Sequence, residues 1–341
     1  MYMRTQLNRL GAAVLSVALL LSLLAACGTG QAGAPGTSAP SPRQTQAQPM
    51  PEPEATPSAA QTRTVTDAAG NVVEVPADIS KIAVTPLPWS SVIFAIDGTS
   101  ERMVSINPGA VKAVYSGKFL EQLDPDYSSI DTTSIGSDFS INMEEMMKRG
   151  VQAVVIWDYQ TDEAEQLKEL GIAPVMVKNE TLEELQASLR AMGQLLGKEE
   201  RAQAFIDLYS EAYDYIKSFS EQVAAADKPK VLYLRNSELR IQGSDNQMVE
   251  ALELAGADNV AADVSSITME EILDIDPDII LMSWFDTFMP ADLYNNTIDG
   301  QDWSHVSAVV NRQVYKTPMG IYRWDAPGVE TPLMMMWLAR L

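Results

Sequence analysis

The sequence is poor in the two residues that proteins use most often to hold transition metals. Its 341 residues include one cysteine, Cys27, and one histidine, His305. A zinc, copper or haem-iron site built by the protein alone usually takes several His or Cys ligands. We therefore predict no protein-built metal site, no covalently bound cofactor and no intramolecular disulfide.

Positive charge is also scarce, with 24 Lys and Arg against 46 Asp and Glu and a net charge of −22. Nucleic-acid binding needs a basic face, and docking on anionic lipid needs basic clusters. Motifs of common hydrolases and nucleotide-binding enzymes are missing as well, among them G-x-S-x-G and H-E-x-x-H. A single histidine removes most acid–base arrangements. These absences predict a protein that is not an enzyme and binds no nucleic acid.

An apolar run of the length of a signal helix lies at the N-terminus. Arg4 and Arg9 precede it, it extends from Leu10 to Leu24, and small residues lead to Cys27. This order is typical of a secretory signal, and the run is short for a membrane span. The segment "LLAAC" resembles the lipobox of bacterial lipoproteins, which implies a signal peptide over 1–27 and lipidation of Cys27. An ordinary signal helix or an unpaired buried thiol are the alternatives.

Composition divides the rest of the chain. Residues 28–62 are rich in Pro, Ser, Gln, Ala and Gly and contain almost no large apolar side chain, so we expect a disordered tether. Short apolar strands alternate with amphipathic helices over 63–180 and again over 227–341. Helical pattern with little interruption, opened by a capping box at Thr181, fills 181–226. This order predicts an α/β protein of two lobes joined by one long helix.

One unit of sequence occurs twice. Residues 142–157 read "NMEEMMKRGVQAVVIW" and residues 268–284 read "TMEEILDIDPDIILMSW", with matches at an offset of 126 positions. Each unit combines a helix, a turn and a buried strand. Asn142 and Thr268 are predicted N-caps, and the glutamates three residues later complete capping boxes. Each lobe is therefore expected to contain the same supersecondary unit.

Several segments in this order carry a family resemblance: "DAAGNVVEVP", "KIAVTP", "ELAGADNVAAD" and "DWSHVSAVVNRQVYKTP". Together they resemble the substrate-binding lipoproteins of ABC importers for iron–siderophore chelates, haem and cobalamin. The resemblance implies two Rossmann-like lobes joined by a rigid backbone helix, with the ligand in the cleft between them. It also implies a monomer, anchored by lipid on the extracytoplasmic face of the cell membrane, that serves a permease dimer with its ATPase.

Ligands of open α/β sheets bind beyond the carboxyl ends of the strands, and these segments are rich in aromatic residues. The predicted ligand-binding residues are Trp89, Trp157, Tyr159, Arg240, Trp284, Tyr322, Arg323 and Trp324. Trp157 and Trp324 resemble positions of vitamin B12-binding members, whereas "WDAPGVE" resembles a molybdate-type branch. We expect a ferric siderophore first, a corrinoid second, and haem or molybdate as alternatives. The alternative for each tryptophan is a packing role at the carboxyl end of a sheet.

Glu144 and Glu270 stand at the second position of the two repeated helices. The resemblance implies that each pairs with an arginine of one permease subunit, and the alternative is a surface charge that complements the helix dipole. A sensory receptor or adhesin on the same fold is the alternative from another class. Because family members continue for another helix or two beyond "LMMMWLARL", the C-terminal lobe is expected to be truncated at its end.

Overall fold

A computed structural model describes residues 61–112, 117–224, 227–242 and 247–341. The predicted signal peptide, Cys27 and nearly all of the predicted tether lie outside these ranges. Within them, no helix combines the length and the apolar character needed to cross a bilayer.

The N-terminal lobe is built on a parallel sheet with a separate hairpin. Strands β1 (Thr62–Thr66) and β2 (Val72–Pro76) pair antiparallel. The sheet consists of β3 (Ile82–Val84), β4 (Met103–Ile106), β5 (Ala153–Trp157) and β6 (Ala173–Val177) in the order β4-β3-β5-β6. Its helices are α1 (Trp89–Asp97), α2 (Phe119–Leu123), α3 (Met143–Arg149) and α4 (Thr161–Glu169). The apolar runs of the central strands are buried because helices cover the sheet.

The C-terminal lobe repeats this plan. Its strands are β7 (Lys230–Leu234), β8 (Asp258–Asn259), β9 (Ile279–Met282) and β10 (Val314–Lys316), again parallel, in the order β10-β9-β7-β8. Counted along the chain within each lobe, both sheets have the order second, first, third, fourth. Its helices are α7 (Gln247–Leu254), α8 (Met269–Ile275), α9 (Pro290–Tyr294), α10 (Ser307–Val310) and α11 (Thr331–Leu338). The predicted α/β fold of two similar lobes is confirmed.

The repeated unit has the same bounds in both lobes. Helices α3 and α8 begin at Met143 and Met269 and end at Arg149 and Ile275, so both ends differ by 126 positions. The two N-caps hold as predicted, since Asn142 and Thr268 accept bonds from the amides three residues later.

The second capping box is complete, but the first is not. The side chain of Glu271 accepts from the backbone N–H of Thr268, whereas Glu145 binds Lys148 at 2.9 Å and Arg149 at 3.4 Å. Two cations on the next helical turn therefore replace the expected return bond to Asn142.

Two consecutive helices join the lobes. Helix α5 (Leu182–Leu196) opens with the predicted capping box between Thr181 and Glu184, and helix α6 runs from Glu199 to Ser220. The chain turns between them at Gly197, whose φ of 64° lies in the left-handed region that glycine adopts without strain. The long helix is thus α6, with 22 residues and a length of about 33 Å at 1.5 Å per residue.

A single apolar core runs through both lobes by way of these helices. It contains Val155 of the first sheet, Leu189 of α5, Tyr209 of α6 and Leu281 of the second sheet, all buried. A second cluster fills the other face of the C-terminal sheet around Trp303. Helix α5 packs on β6 of the N-terminal lobe and α6 packs on α7 and α11 of the C-terminal lobe, so the two helices connect the lobes on either side of the cleft.

Candidate functional site

The cleft between the lobes contains a cavity of about 350 Å³. Its N-terminal wall consists of Leu87, Pro88, Phe139, Trp157, Asp158, Tyr159, Lys178, Asn179, Glu180 and Glu184. Its C-terminal wall consists of Arg235, Gln242, Phe285, Arg323 and Pro327. Most of these residues follow the carboxyl end of a strand, where ligands of open α/β sheets bind.

Aromatic rings form part of the N-terminal wall. The rings of Trp157 and Tyr159 stack with centroids 6.3 Å apart and planes 18° apart. The buried amide of Gln160 fixes this turn, because its oxygen accepts from the backbone N–H of Trp157 and its nitrogen donates to the carbonyl of Phe139. Tyr159 is 64% exposed, so a ring face is available to a ligand.

The same wall carries one ammonium between two carboxylates. Lys178 Nζ lies 3.4 Å from Asp158 and 3.3 Å from Glu184. The hydrogen bond that Lys178 donates to Glu184, together with the charge of Glu184, raises the pKa of Lys178, and Asp158 makes a smaller contribution. Since Glu184 also closes the capping box of α5, this ion pair connects the cleft to the first residues of the connecting helix.

In the C-terminal wall, two guanidinium groups lie against one ring. The guanidinium carbons of Arg235 and Arg323 are 3.9 Å and 3.7 Å from the centroid of Phe285. Stacking on an aromatic face leaves the edge N–H groups of a guanidinium directed sideways, where they can donate to a carboxylate or another oxyanion. This arrangement can bind a ligand with acidic edges.

Buried Asp325 holds Arg323 in place. Its Oδ1 pairs with Arg323 Nη1 at 3.1 Å. Its Oδ2 accepts from the Tyr233 hydroxyl at 3.2 Å and from the Ser283 hydroxyl. Burial, and next the charge of Asp325, raise the pKa of the Tyr233 phenol, so the phenol remains a donor. The carboxylate therefore ties the arginine to two strands.

Lys316 fixes the neighbouring loop, residues 283–288. Its ammonium donates to the carbonyls of Ser283, Asp286 and Phe288 at 2.7 to 2.9 Å. It also lies 4.7 Å from the ring centroid of Trp284. Burial lowers the pKa of Lys316 to about 8. One cation thus binds three carbonyls of the loop that presents Phe285, and Ser237 also donates to Asp286 of this loop.

The structure brings three of the eight predicted ligand residues to the cavity: Trp157, Tyr159 and Arg323. Trp89 is not among them. We revise that prediction, because its side chain is 0% exposed and packs into the N-terminal core. Arg240 is exposed and also lies outside the lining. It follows an Asx turn at Asn236 that carries it past the end of β7.

The other three predicted residues, Trp284, Tyr322 and Trp324, lie next to the C-terminal wall but outside the lining of the cavity. Trp284 donates its indole N–H to the carbonyl of Thr317, and Trp324 donates to Glu330. Tyr322 is buried, with 3% of its surface exposed. None of the three lies in the lining of the cavity, and their contact with ligand stays a prediction.

The eight predicted ligand-binding residues do not include Arg235, Phe285, Lys178 or Gln242, which also line the cavity. Arg235 and Lys178 are the first residues after β7 and β6, so strand boundaries placed to within one residue would have identified both. Phe285 follows the predicted Trp284 directly. No local signal marks Gln242, which reaches the cleft through an isolated bridge between Leu234 and Ile241.

Glu144 and Glu270 are exposed in the first turns of α3 and α8. A wider groove of about 550 Å³ lies along α5 and α6, but no aromatic residue lines it. In the described part of the chain, no three His, Cys, Asp or Glu side chains are grouped to hold a metal ion.

Known proteins share this architecture. A crystal structure of a periplasmic solute-binding protein from Veillonella parvula is 40% identical, with a TM-score of 0.76, over 82% of this chain and 86% of that chain. The molybdate-binding protein MolA of Haemophilus influenzae is 24% identical over 311 residues, which is 83% of this chain and 85% of MolA. The vitamin B12-binding protein BtuF of Vibrio cholerae shares the fold at 16% identity and a TM-score of 0.57, over 77% of this chain and 96% of BtuF.

The sequence model described as periplasmic binding protein matches residues 94–319, about two thirds of the chain. The match begins in α1 and ends after β10, so it includes the C-terminal sheet, the N-terminal sheet except β3, the connecting helices and most of the cleft. Related proteins of this fold bind solutes for ABC importers, in which a permease and an ATPase complete the transporter. The chain belongs to the periplasmic binding protein family and is a substrate-binding protein of the ABC type.

Proposed function

We propose that this protein captures a compact metal chelate with acidic edges, a small ferric chelate of the siderophore class, and delivers it to an ABC permease. The observation that carries the proposal is the pair of arginines stacked on Phe285, which faces the aromatic N-terminal wall. Flat apolar faces and charged N–H donors match a chelate whose organic part packs and whose carboxylate or related edges accept bonds.

The size of the cavity ranks the larger chelates, a corrinoid and haem, below a small one. A volume of about 350 Å³ is near the lower end of the range for small-molecule sites, roughly 300 to 1,000 Å³. A corrinoid or haem macrocycle would require the walls to separate. We therefore place both macrocycles behind a small chelate.

A tetrahedral oxyanion is the second candidate. Its support is the relative MolA, whose name states that it binds molybdate. Arg235 and Arg323 could donate to such an anion in the same way as to a carboxylate. A bare oxyanion makes no use of Trp157 and Tyr159, however, and this difference separates the two candidates.

Tryptophan fluorescence tests the proposal. The purified protein is titrated with ferric citrate, a ferric siderophore panel, cobalamin, haemin and molybdate. We expect saturable quenching by a ferric chelate, lost in Trp157→Phe and retained in the matched control Trp303→Phe, because Trp303 is buried in the C-terminal core. Binding of molybdate alone would establish the second candidate, and no response from folded protein would contradict both.

Delivery is proposed to use Glu144 and Glu270. Each is exposed on the first turn of a repeated helix, so one carboxylate from each lobe can meet one subunit of a two-subunit permease. We expect Glu144→Arg combined with Glu270→Arg to abolish stimulation of the transporter's ATPase while ligand affinity stays unchanged. Glu211→Arg, an equal charge reversal in α6, serves as control. Undiminished stimulation by the double variant would contradict docking through these two glutamates, and no stimulation by the wild type would favour a sensory receptor or adhesin.

Lipidation of Cys27 remains part of the proposal. The lipid would anchor the protein on the extracytoplasmic face of the membrane and keep it near the permease. Labelling of growing cells with a radioactive fatty acid, compared between the wild type and Cys27→Ala, tests it. Incorporation into the wild type alone is the expected result.

A further inference from the structure

The loop between β10 and α11 presents Arg323 to the cavity, and it makes a tight turn around that residue. The backbone N–H of Trp324 donates to the carbonyl of Pro318 at 3.1 Å, and Met319 and Arg323 form an isolated antiparallel bridge. Asp325 fixes the guanidinium end of the arginine side chain. The backbone end of that side chain depends on the shape of the turn.

One carboxylate, that of Glu330, fills the inside of this turn. Its Oε1 accepts from the backbone N–H of Ile321 and from the indole N–H of Trp324, and its Oε2 accepts from the backbone N–H of Tyr322, each at 3.2 Å. Glu330 is the N-cap residue of α11, but in the part of the chain that the structure describes its side chain binds the loop and does not cap the helix. The carboxylate therefore stabilises the turn.

Gly320 leaves room for the carboxylate. A Cβ at this position would overlap Glu330 Oε1 and would lie 2.7 Å from the indole nitrogen of Trp324. Gly320 does not have the positive φ that favours glycine, so alanine can adopt its backbone conformation. What requires glycine here is the close approach of the carboxylate, and Gly320→Ala is therefore a second way to displace it.

We propose that Glu330 is a positioning residue for ligand binding: its carboxylate holds the turn that places Arg323 against Phe285. Arg323 and Phe285 line the cavity, whereas Glu330 lies outside the lining. The inference rests on the proposed function, because it takes Arg323 as a contact of the chelate. It adds to that function a determinant of affinity that does not touch the ligand.

Charge alone would have the opposite effect on an anionic chelate. Removing the carboxylate of Glu330 takes away a negative charge near the cleft, so Coulomb energy by itself would strengthen the binding of an anion. Loss of the three hydrogen bonds lets the backbone of Arg323 move, and a donor that must be ordered on binding gives weaker affinity. The sign of the change therefore distinguishes positioning from charge.

Isothermal titration calorimetry of the full-length protein in detergent with ferric citrate measures this sign. Glu330→Ala and Gly320→Ala should each weaken binding about tenfold. Glu330→Gln keeps one acceptor oxygen for the turn and should lose less than about threefold. In a protein that already carries Arg323→Ala, Glu330→Ala should change affinity less than about twofold, because the side chain that it positions is absent.

Asp97→Ala is the matched control for a general loss of stability. Asp97 pairs with Arg102 at 3.2 Å, 2% of its side chain is exposed, and it lies outside the lining of the cavity. We expect urea unfolding to show lower stability in this variant, with its affinity for ferric citrate unchanged. A loss of affinity as large as that of Glu330→Ala would trace the effect to general stability and overturn the inference.

NMR of the same protein with nitrogen-15-labelled arginine gives a readout that needs no ligand. The guanidinium carbon of Arg323 lies 3.7 Å from the ring centroid of Phe285, so the ring current should shift the Nε–H signal of this arginine. Arg323→Lys identifies the signal by its loss. Glu330→Ala and Gly320→Ala should move the signal toward that of a solvent-exposed arginine, and Asp97→Ala should leave it in place.

The two readouts separate this inference from the proposed function. An unmoved arginine signal in Glu330→Ala, or tighter binding of ferric citrate by that variant, overturns the positioning role and leaves the proposed function standing. If the folded wild type binds no ferric chelate while the arginine signal moves as expected, the proposed function fails and the positioning of Arg323 by Glu330 stands. Weaker binding together with a moved signal supports both.

Discussion

The two lobes share a strand order and a repeated helix–strand unit, yet they hold their walls of the cleft by different means. In the C-terminal wall, buried Asp325 fixes Arg323 and a partly buried ammonium fixes the loop of Phe285. In the N-terminal wall, an uncharged amide, Gln160, fixes the aromatic turn, and the ion pairs of Lys178 are partly exposed. Duplication therefore accounts for the scaffold, whereas the loops beyond the strands carry the chemistry.

The match between the repeats ends where the strands end. Offset by 126 positions, β5 and β9 begin together at Ala153 and Ile279, but Trp157 then corresponds to Ser283. Ser283 donates to buried Asp325, whereas Trp157 lines the cavity. One equivalent position thus contacts ligand space in one lobe and supports an arginine in the other.

The largest effect should come from breaking the buried ion pair of the C-terminal lobe. Asp325→Asn leaves Arg323 buried without its counter-charge, and we expect the free energy of unfolding to fall by about 3 to 5 kcal/mol. The matched change in the N-terminal lobe, Asp131→Asn, breaks a partly exposed pair with Arg149 and should cost about 1 kcal/mol. Urea unfolding measures both, and equal losses would refute the difference between the lobes.

A second test compares the cations of the two walls. Arg235→Ala removes a donor that we propose binds ligand, so affinity for the best chelate should fall roughly 10- to 100-fold. Lys178→Ala should change affinity less than about threefold, because Asp158 and Glu184 already engage its ammonium. Calorimetric titration of both variants with the chelate measures the two losses of affinity. A larger loss for Lys178→Ala would shift the anion-binding role to the N-terminal wall.

Lys316 and Lys178 are also expected to change the pH dependence of the free energy of unfolding in different ways. Folded Lys316 releases its proton near pH 8 and unfolded lysine near 10.5, so between these values the unfolded state holds more protons. Lys316 therefore makes the free energy of unfolding rise with pH across that window. Lys178 has a raised pKa, so its contribution is present below the ordinary lysine pKa and is lost only above it.

Unfolding in urea from pH 7.5 to 9.5 measures this slope. Lys316→Met should remove the rise, and Lys178→Met should leave it intact. If Lys316→Met and the wild type show the same slope, the ammonium of Lys316 does not titrate in this range and the assignment is wrong.

The smallest effect concerns the ends of the repeated helices. Helix α3 ends at Gly150 with φ 69°, and helix α8 ends at the equivalent Asp276 with φ 46°. Gly150→Ala should cost about 1 kcal/mol through left-handed strain, since the space around a new Cβ is sufficient. Asp276→Gly relieves strain but loses two bonds to Ser307, so its net effect should be below about 0.5 kcal/mol. Thermal unfolding of both variants measures whether Gly150→Ala lowers stability more than Asp276→Gly.

More of the fold than of the candidate site could be predicted from the sequence. Periodicity and the repeat identified both sheets, because these depend on local patterns of apolar residues. The predicted helical pattern continues past Ser220, where α6 ends, because residues 221–224 are exposed and bury little surface that would stabilise another turn.

Side-chain direction explains why some of the predicted residues line the cavity and others do not. Trp89 and Trp157 both follow strands, but Trp89 opens a helix whose inner face packs on the sheet, whereas Trp157 ends a strand and points to the cleft. Sequence spacing does not distinguish these cases. Asp325 contacts Tyr233, Ser283 and Arg323, and Tyr233 lies 92 positions from Asp325 in the chain, so no local pattern reveals this cluster.

The equal placement of Glu144 and Glu270 has a consequence for the rate of docking. A permease of two identical subunits presents the same pair of partners after half a turn about its axis. If the two glutamates dock as proposed, the carrier can meet the permease in two orientations that differ only in which lobe faces which subunit. Each collision then has two productive poses instead of one, and this symmetry gives a twofold statistical gain in association rate without any additional contact.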